Sequence, residues 1–462
     1  MIWKQFISRV HQNPDRPAVH VRDQTISYQE LAGLAGALAQ RHLTGPSGKP
    51  RRALIQQTDP FAILLCLLAC WHSRVVPIVM RENASRAQLD ELTALLRPEH
   101  LLLTPIPTEQ LTPLSSNADN FAPWTPRDEA LVLNTSGTTG NPKLVALPAE
   151  SVCLNAATIG ACLEMTSEDR IAVTTPLTYM YGLMGATVAG LWAGAAVHFF
   201  SPQTPLPIVQ AHIRKNHITV VQGPPTLMRL FITYWNGHPF PSVRMVTTGG
   251  EALSPELAAD LNRAFTEAKK IFIYGMTEAG PRISHDDINT GGFARGCVGK
   301  PYQHIEWRID PLANPDLPAH VGRLALRGPS IFLGYLQPDG NYAGLEADGF
   351  FCSNDLVSRD EAGRLYFHGR LDRMFKSGGK LVNPNTIERI LIQHHGVQQA
   401  RCRVEPHPIL GFVPVADVVA KTGHQPTEAD LKTHCEYHLD SHAVPRKFHR
   451  LAQLPINHSG KA

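Results

Sequence analysis

The hydrophobic residues of the chain form short strand-like runs that alternate with helical patterns. Downstream of residue 130 these runs are Ile171–Thr175, Ala196–Phe200, Thr219–Val221, Met245–Thr247 and Ile271–Tyr274. Strands and helices that alternate at this spacing favour a layered core. The pattern therefore predicts an α/β protein whose large N-terminal part consists of layered sheets and helices.

The regions on either side of this core have their own patterns. Phe61–Trp71 is the longest apolar run, and its eleven residues are too few to span a bilayer, so we expect a buried helix. The proline-rich segment Thr104–Pro126 is typical of a surface connection. The last ninety or so residues alternate again, which predicts a smaller α/β unit; its elements are a helix at Asn385–His394, a strand at Phe412–Val419 and a helix at Thr427–Asp440.

Composition limits the classes of function. With 462 residues the chain can form two or three compact units, and its net charge of +3 gives no electrostatic basis for binding nucleic acid or an anionic membrane. The eight cysteines are scattered without a CxxC pair, which suits a reducing compartment, and Cys66 and Cys70 fall one helical turn apart in the apolar run. We therefore expect a cytoplasmic protein without a membrane span.

The most informative local pattern is the loop Asn134-Thr135-Ser136-Gly137-Thr138-Thr139-Gly140-Asn141-Pro142-Lys143. Glycines let backbone N–H groups approach an anion, hydroxyls add donors, and the lysine adds positive charge. The apolar run Ala130–Leu133 precedes the loop, which indicates that it leaves the end of a strand. Composition alone leaves two interpretations open, a polyphosphate cradle and a flexible Gly/Ser/Thr linker.

Five further segments follow in a fixed order: Thr247–Leu253, Tyr274–Glu278, Gly349–Asp355, Gly369–Asp372 with Lys376–Lys380, and Ser459–Ala462. In the second of them an aromatic ring, a hydroxyl and a carboxylate suit base stacking, phosphate contact and Mg²⁺ ligation. The carboxylate of Asp355 suits a ribose diol. Each segment taken singly is most often a turn or a solvated end, so the information lies in their joint order.

In that order the segments resemble the acyl-adenylate-forming superfamily, which includes acyl- and aryl-CoA synthetases, nonribosomal peptide adenylation domains and firefly luciferase. The resemblance covers nearly the whole chain. It implies an N-terminal AMP-binding domain at 1–371 with the ATP and acid sites, and a small mobile α+β domain at 372–462. It also implies two steps, in which a carboxylate attacks ATP to give acyl-AMP and pyrophosphate, and a thiol then displaces AMP.

The resemblance also implies roles for individual residues. The loop that holds the β- and γ-phosphates comprises Thr135, Ser136, Gly137, Thr138, Thr139, Gly140 and Lys143. The nucleoside site comprises Gly249, Gly250, Glu251 and Tyr274 around adenine, Asp355 on ribose and Arg370 near ribose and phosphate. The remaining roles are Thr277 on the α-phosphate, Glu278 on Mg²⁺, Asp372 as hinge, Gly379 beside the pantetheine tunnel and Lys461 as the adenylation lysine.

These roles fit the chemistry of joining two anions. Mg²⁺ and Lys461 neutralise the carboxylate and the α-phosphate, which is electrostatic stabilisation with positioning rather than covalent catalysis. A lysine needed for one half-reaction only belongs on a mobile domain. The sequence departs from the superfamily at Ser353-Asn354-Asp355, which replaces Thr-Gly-Asp and keeps the carboxylate.

The acid is indicated by the stretch from Thr175 to Gly185. It contains no carboxylate to bind an α-ammonium group, so amino acids are disfavoured. Tyr181-Gly182-Leu183 looks closest to benzoate-type ligases, and the predicted pocket residues are Tyr179, Tyr181, Met184 and Gly249. They could frame a flat pocket for a hydroxybenzoate-like acid, or they could merely pack the core. A short- or medium-chain fatty acid is the alternative.

The thiol acceptor stays open between coenzyme A and the phosphopantetheine arm of an acyl carrier protein, since both would enter by one tunnel. The chain has no carrier domain of its own, so we expect a stand-alone ligase. A noncatalytic nucleotide-binding protein of the same fold is the hypothesis from another class. It is disfavoured because Lys461, Glu278, Asp355 and Arg370 are all present.

Overall fold

The computed structural model describes residues 1–43, 51–82, 84–114, 123–135, 143–201, 203–288, 296–312 and 317–455. Its contacts divide the chain into two compact units. The larger unit comprises Met1–Gly292, Tyr302–Glu306 and Arg327–Phe351, and the smaller comprises Phe293–Pro301, Trp307–Leu326 and Cys352–Ala462. The domain boundary after residue 371 stays a prediction.

The helices and strands of both units are numbered in chain order. The α-helices are α1 (Ile2–Gln12), α2 (Tyr28–His42), α3 (Pro60–His72), α4 (Arg86–Leu96), α5 (Ala149–Cys162), α6 (Ala189–Ala193), α7 (Leu206–Lys215), α8 (Pro225–Thr233), α9 (Pro255–Ala264), α10 (Pro384–Gln393) and α11 (Glu428–His438). The strands are β1 (Pro17–Val21), β2 (Gln24–Ser27), β3 (Arg51–Ile55), β4 (Val75–Val79), β5 (His100–Leu102), β6 (Glu129–Thr135), β7 (Lys143–Pro148), β8 (Arg170–Val173), β9 (Ala196–Phe199), β10 (Val220–Gly223), β11 (Met245–Gly249), β12 (Lys269–Tyr274), β13 (Ser284–Asp287), β14 (Cys297–Pro301), β15 (Glu306–Pro311), β16 (Gly322–Arg327), β17 (Gly334–Leu336), β18 (Tyr342–Ala343), β19 (Phe351–Arg359), β20 (Leu365–Arg370), β21 (Phe375–Ser377), β22 (Lys380–Val382), β23 (Val397–His407), β24 (Gly411–Ala420) and β25 (Phe448–Arg450).

Two sheets form the framework of the larger unit. One has the strand order β13-β12-β11-β10-β8-β9-β1-β2, and its strands from β12 to β1 run parallel. The other has the order β18-β17-β7-β6-β4-β3-β5 and includes the antiparallel hairpin of β6 and β7. Each predicted core strand is present within one or two residues of its predicted bounds, which confirms the layered α/β interpretation.

The smaller unit also has two sheets. One follows the order β15-β16-β19-β20-β14, with β19 and β20 antiparallel. The other follows β22-β21-β24-β23, and β25 pairs with β24. Its core includes Ile387 and Leu391 of α10 together with Leu431 and Cys435 of α11. The predicted helices and strand of this region are therefore confirmed.

The longest apolar run folds as predicted into α3. Every residue from Phe61 to Trp71 is buried, and burial raises the pKa of both the Cys66 and Cys70 thiols. The prediction that Thr104–Pro126 lies at the surface is wrong at Trp124, which is 6% exposed and donates from Nε1 to the Trp71 carbonyl at 2.8 Å. No helix in the described ranges is both long enough and apolar enough to cross a bilayer.

A buried carboxylate fixes the starts of three neighbouring strands. Asp169, which precedes β8, accepts hydrogen bonds from the Thr219 hydroxyl at 2.6 Å and from Nε and Nη2 of Arg244 at 2.8 and 2.6 Å. Thr219 precedes β10 and Arg244 precedes β11. Burial acts to raise the pKa of Asp169, but the hydrogen bonds from Arg244, Thr219 and Thr166 outweigh it, so the pKa lies below its usual range.

Replacing Asp169 with asparagine should lower the free energy of unfolding by roughly 1.5–3 kcal/mol, because it removes the charge that accepts hydrogen bonds from the half-buried Arg244 guanidinium. Urea denaturation at neutral pH measures this loss. Since the folded pKa is depressed, the stabilisation is present above the unfolded pKa of about 3.9 and is lost as the pH falls through the folded value. The difference between wild type and variant should therefore shrink in acid.

The control for this substitution is Asp90→Asn, which removes an exposed i,i+4 pair with Arg86 on α4. It should change the free energy of unfolding by less than about 1 kcal/mol. Equal losses in the two variants would contradict the role given to Asp169.

Candidate active site

The carboxyl ends of neighbouring parallel strands meet along one edge of the large sheet. Strands β8, β10, β11 and β12 are adjacent there, and ligands of open α/β sheets bind outside this edge. Gly249 is the last residue of β11 and Tyr274 the last of β12, with Gly249 opposite Ile273 in the parallel register. Two residues predicted for the adenine slot therefore lie on neighbouring strand ends.

The backbone at the end of β11 requires glycine. A Cβ on Gly249 would stand 2.2 Å from the Ile273 carbonyl oxygen, and Gly250 has a φ of +85°. The carboxylate of Glu251 accepts hydrogen bonds from the Thr226 backbone N–H at 2.9 Å and from its hydroxyl at 2.8 Å. Glu251 is thus attached to the first turn of α8, where a negative charge is favoured.

The predicted phosphate loop joins the hairpin strands β6 and β7. Thr135 ends β6, Lys143 begins β7, and the two are register partners. The Thr135 hydroxyl donates to the Lys143 carbonyl at 3.2 Å. Five residues of the prediction lie outside the described ranges: Ser136, Gly137, Thr138, Thr139 and Gly140.

A tyrosine links the phosphate-loop lysine to the predicted Mg²⁺ ligand. The Tyr335 hydroxyl donates to Oε1 of Glu278 at 2.8 Å, and the Lys143 ammonium nitrogen lies 4.6 Å from the centre of the Tyr335 ring. Glu278 and Thr277 share the 3₁₀ turn Thr277–Ala279 that follows β12. Lys143, Tyr335, Glu278 and Thr277 are therefore held in one neighbourhood by side-chain contacts and by a single turn.

The predicted acid-pocket residues lie around a π-helical segment, Tyr181–Val188. Such segments are often found at functional sites. The Tyr181 and Thr247 hydroxyls are 2.8 Å apart, and burial raises the pKa of Tyr181 to about 12, so its phenol stays protonated at neutral pH. A Cβ on Gly182 would stand 2.3 Å from the Thr175 carbonyl oxygen, which keeps this segment against the end of β8.

The other two predicted pocket side chains differ in exposure. Tyr179 is half-buried, and the guanidinium carbon of Arg81 lies 5.9 Å from the centre of its ring. Met184 is completely buried. The contact of these two side chains with the acid stays a prediction.

A buried guanidinium lies close to Tyr181. Arg282 is 1% exposed, its Nη1 and Nη2 make no well-aligned hydrogen bond among the described residues, and the Tyr302 hydroxyl interacts with its guanidinium. Burial raises the pKa of both the Tyr181 and Tyr302 phenols, and the charge of Arg282 opposes that rise at each of them. The arrangement gives the neighbourhood of Tyr181 a positive group able to bind an oxygen ligand.

In the smaller unit the structure brings together three predicted residues. Asp355 on β19 and Arg370 at the end of β20 are register partners, and Arg370 Nη1 lies 3.4 Å from Asp355 Oδ1. Arg370 also donates from Nε and Nη2 to the two oxygens of Asp372 at 2.9 and 2.8 Å. Asn354, where the sequence departs from the superfamily, has its amide nitrogen 3.4 Å from Asp372 Oδ2. The predicted hinge residue is thus an ion-pair partner of the predicted ribose-site arginine.

The remaining predicted residues are Gly379 and Lys461. Gly379 lies in the exposed turn between β21 and β22 with a φ of +84°, and a Cβ there would have no heavy atom within 4 Å. Space is therefore available at this position, while its backbone conformation favours glycine. Lys461 lies outside the described ranges.

Comparisons with known proteins identify the family of the chain. The profile of the AMP-binding enzymes matches residues 6–336, and the profile of the AMP-binding enzyme C-terminal domain matches residues 386–461. The first match alone covers more than half of the chain. The chain belongs to the AMP-binding enzyme family.

Relatives of this AMP-binding enzyme are ligases of carboxylic acids. An oxalate–CoA ligase of Arabidopsis thaliana is 28% identical over 393 residues, covering 82% of this chain and 74% of that protein. A feruloyl-CoA synthase of an Amycolatopsis species is 26% identical over 477 residues, covering 98% and 96%. ATP-bound MatB from Rhodopseudomonas palustris shares the fold, with a TM-score of 0.87, 22% identity and coverage of 100% and 97%. The predicted superfamily is confirmed, and the chain is an acid–thiol ligase.

The sequence did not identify two residues of this AMP-binding enzyme's candidate site. Tyr335 contacts Glu278 across 57 residues of chain, so no local pattern could connect them. Arg282 follows the Tyr274–Glu278 segment closely and is flanked by Pro281 and Ile283. The available signal for Arg282 was its position, because it is a charged residue between two apolar ones shortly after a motif.

Proposed function

We propose that the enzyme activates an aromatic acid of the hydroxybenzoate type with ATP, and passes the acyl group to the pantetheine thiol of coenzyme A or of an acyl carrier protein. The single observation that carries the second polar group of the acid is Arg282, whose buried charge acts on the Tyr181 phenol and whose Nη1 and Nη2 lack a well-aligned acceptor among the described residues. An uncompensated buried charge is costly. A substrate with a second polar group would remove that cost.

The proposed acid lies with its reacting carboxylate toward the phosphates and its ring beside Tyr179, Tyr181 and Met184. Its phenolic oxygen would then accept hydrogen bonds from Arg282, while the Tyr181 phenol, whose pKa burial raises to about 12, is neutral and can donate a hydrogen bond. An alkyl chain offers the guanidinium nothing. The feruloyl-CoA synthase already named supports this choice, since a feruloyl group is aromatic with a phenol. The oxalate–CoA ligase supports only the second polar group, because oxalate has a second carboxylate and no ring.

Nucleotide binding is proposed for the residues that the superfamily resemblance assigned. Thr135, Lys143 and the loop between them bind the β- and γ-phosphates, Thr277 the α-phosphate, and Gly249, Gly250, Glu251 and Tyr274 the adenine. Glu278 fits Mg²⁺, because a carboxylate is a hard oxygen ligand and Tyr335 orients one of its two oxygens. When bound, Mg²⁺ neutralises charge on the phosphates.

The 372–462 segment is proposed to be a mobile lid with Asp372 as its hinge. In one pose it brings Lys461 to the carboxylate and α-phosphate, and in the other it brings Gly379 beside the pantetheine tunnel. Asp355 binds the ribose diol. Because Arg370 is paired with Asp372, rotation at the hinge would change the partners of the arginine that serves ribose and phosphate.

Arg282→Met should lower kcat/KM for hydroxybenzoates at least about tenfold while leaving medium-chain fatty acids within about twofold, since a hydrogen bond to a charged group is worth roughly 1.5–3 kcal/mol. Acid-dependent pyrophosphate release measures both. The control is Arg214→Met on α7, which removes a guanidinium whose carbon lies 4.3 Å from the centre of the Phe240 ring. Equal losses for every acid would assign Arg282 a structural role and contradict the proposal.

A panel of carboxylic acids tests the function itself, first with coenzyme A and then with phosphopantetheinylated carrier proteins. Hydroxybenzoates should give the highest rate of pyrophosphate release. A maximum at short or medium alkanoates would instead favour the fatty acyl alternative. Absence of pyrophosphate release with every acid of the panel would favour a noncatalytic nucleotide-binding protein.

A further inference from the structure

Three histidines of the larger unit converge away from the strand ends described above. His20 lies on β1, His198 on the neighbouring parallel strand β9, and His212 on α7. His20 and His198 are direct register partners, so their side chains leave the sheet on the same face. We call these residues the three-histidine cluster.

The rings of the cluster lie within ligand distance of one another. Nδ1 of His198 is 3.0 Å from Nε2 of His212, and one ring nitrogen from each histidine can be chosen so that all three lie within 4.8 Å. Ring centres are separated by 4.8 Å for His20 and His198 and by 5.3 Å for His20 and His212. The three nitrogens therefore surround one small volume.

The environment keeps these imidazoles neutral, which is the form that binds metals. Burial lowers the pKa of all three, that of His198 to about 3. Lys215 lowers the pKa of His20 and His212 further, while the Asp23 carboxylate acts to raise that of His20. Nδ1 of His20 lies 3.1 Å from the Thr25 hydroxyl, which leaves Nε2 as its second ring nitrogen. A hydrogen bond to one imidazole nitrogen is the usual way in which a metal-binding histidine is oriented.

We propose that the three-histidine cluster is a binding site for a first-row transition-metal dication of the Zn²⁺ class, with water as a fourth ligand. Tetrahedral Zn–N bonds of about 2.0–2.1 Å place ligand nitrogens roughly 3.3 Å apart. Separations between 3.0 and 4.8 Å reach that value through small ring rotations. Imidazole ligands exclude Mg²⁺, the metal of the adenylation chemistry, which prefers oxygen.

The position of the cluster indicates what a bound metal would do. It would join α7 to two strands near the end of the large sheet, where β2 is the last strand in the order. Strands β10 and β8 separate β9 from β11, which carries Gly249. The metal would thus stabilise the larger unit without contacting the proposed nucleotide residues.

The smaller unit contains a second group of histidines, whose ring nitrogens can be compared with those of the three-histidine cluster. There Nδ1 of His394 accepts from the Gly396 N–H at 3.2 Å, and Nε2 of His434 lies 2.9 Å from the Ile390 carbonyl. These nitrogens are already used by the backbone. Metal binding should therefore depend on His198 and not on His434.

The test uses untagged full-length enzyme, freed of metal with a chelator and titrated with ZnCl₂ and with CoCl₂. We expect one Zn²⁺ per chain, visible absorption bands typical of tetrahedral Co²⁺, and a rise in thermal midpoint on adding zinc. His198→Gln and His212→Gln should each weaken binding at least ~10-fold. His238→Gln, which changes an exposed histidine, and His434→Gln should leave affinity unchanged.

Zinc X-ray absorption on the wild-type enzyme counts the imidazole ligands directly and serves if a variant fails to fold. Three imidazoles with one oxygen ligand support the site. Absence of stoichiometric binding, a coordination shell with fewer than three imidazoles, or loss of binding in His434→Gln with retention in His198→Gln would overturn the proposal.

Discussion

Lys461→Ala should lower the rate of acyl-AMP formation by ~10²–10³-fold or more, because it removes a preorganised positive charge from the developing transition state. Thioester formation from supplied acyl-AMP should proceed at nearly the wild-type rate, since the proposed two-pose scheme assigns this lysine to the first half-reaction only. Pyrophosphate release measures the first step, and AMP release from acyl-AMP with the thiol measures the second. The separation of the two rates is the essential result.

The control is Lys447→Ala, which removes an exposed lysine of the smaller unit that pairs with Glu405 at 3.0 Å. Both half-reactions should stay within about twofold of wild type, as expected for a surface pair.

The complementary variant Gly379→Leu should slow the thioester step. Gly423→Leu in the same unit controls for backbone strain, because Gly423 has a similar φ of +79° and equally open surroundings. Equal loss of both half-reactions in Lys461→Ala and Gly379→Leu would contradict the two-pose assignment.

Glu278→Gln should lower kcat/KM for pyrophosphate release about 10²-fold and raise the Mg²⁺ concentration needed for half-maximal rate. The amide can still accept the hydrogen bond from Tyr335, so the loss isolates the negative charge that attracts the metal. Assays over a range of Mg²⁺ concentrations measure both quantities. Excess Mg²⁺ should recover part of the rate.

Two further variants separate the charge of Glu278 from its orientation and from a general effect of losing a carboxylate. Tyr335→Phe removes only the hydroxyl that orients Glu278 and should cost about tenfold or less. Glu256→Gln changes an exposed carboxylate in the first turn of α9 and should be neutral. An unchanged Mg²⁺ requirement in Glu278→Gln would refute its assignment as a metal ligand.

Much of the fold could be predicted because its elements have local signals. The apolar run of α3 and the short core strands depend on burial within a few residues of sequence, and both are confirmed. The buried Trp124 was missed because its partner, Trp71, lies 53 residues away. A polar, proline-rich context gives no sign of one aromatic anchor.

The residues of the candidate site are likewise of two kinds, those with a local sequence signal and those brought together only by tertiary packing. Gly249 and Tyr274 were predictable from motifs at strand ends, and their neighbouring positions follow from the parallel pairing of β11 and β12. The link from Lys143 through Tyr335 to Glu278 depends on tertiary packing between distant segments. His20 and His198 become neighbours only through strand register, which no single-sequence pattern contains.

Acyl-adenylate formation by this enzyme is tested most directly by acid-dependent exchange of labelled pyrophosphate into ATP, with the nucleotide product identified. We expect exchange that depends on a hydroxybenzoate-type acid, formation of AMP rather than ADP, and loss of exchange in Lys461→Ala. Formation of ADP and phosphate, or exchange that persists in Lys461→Ala, would contradict this expectation.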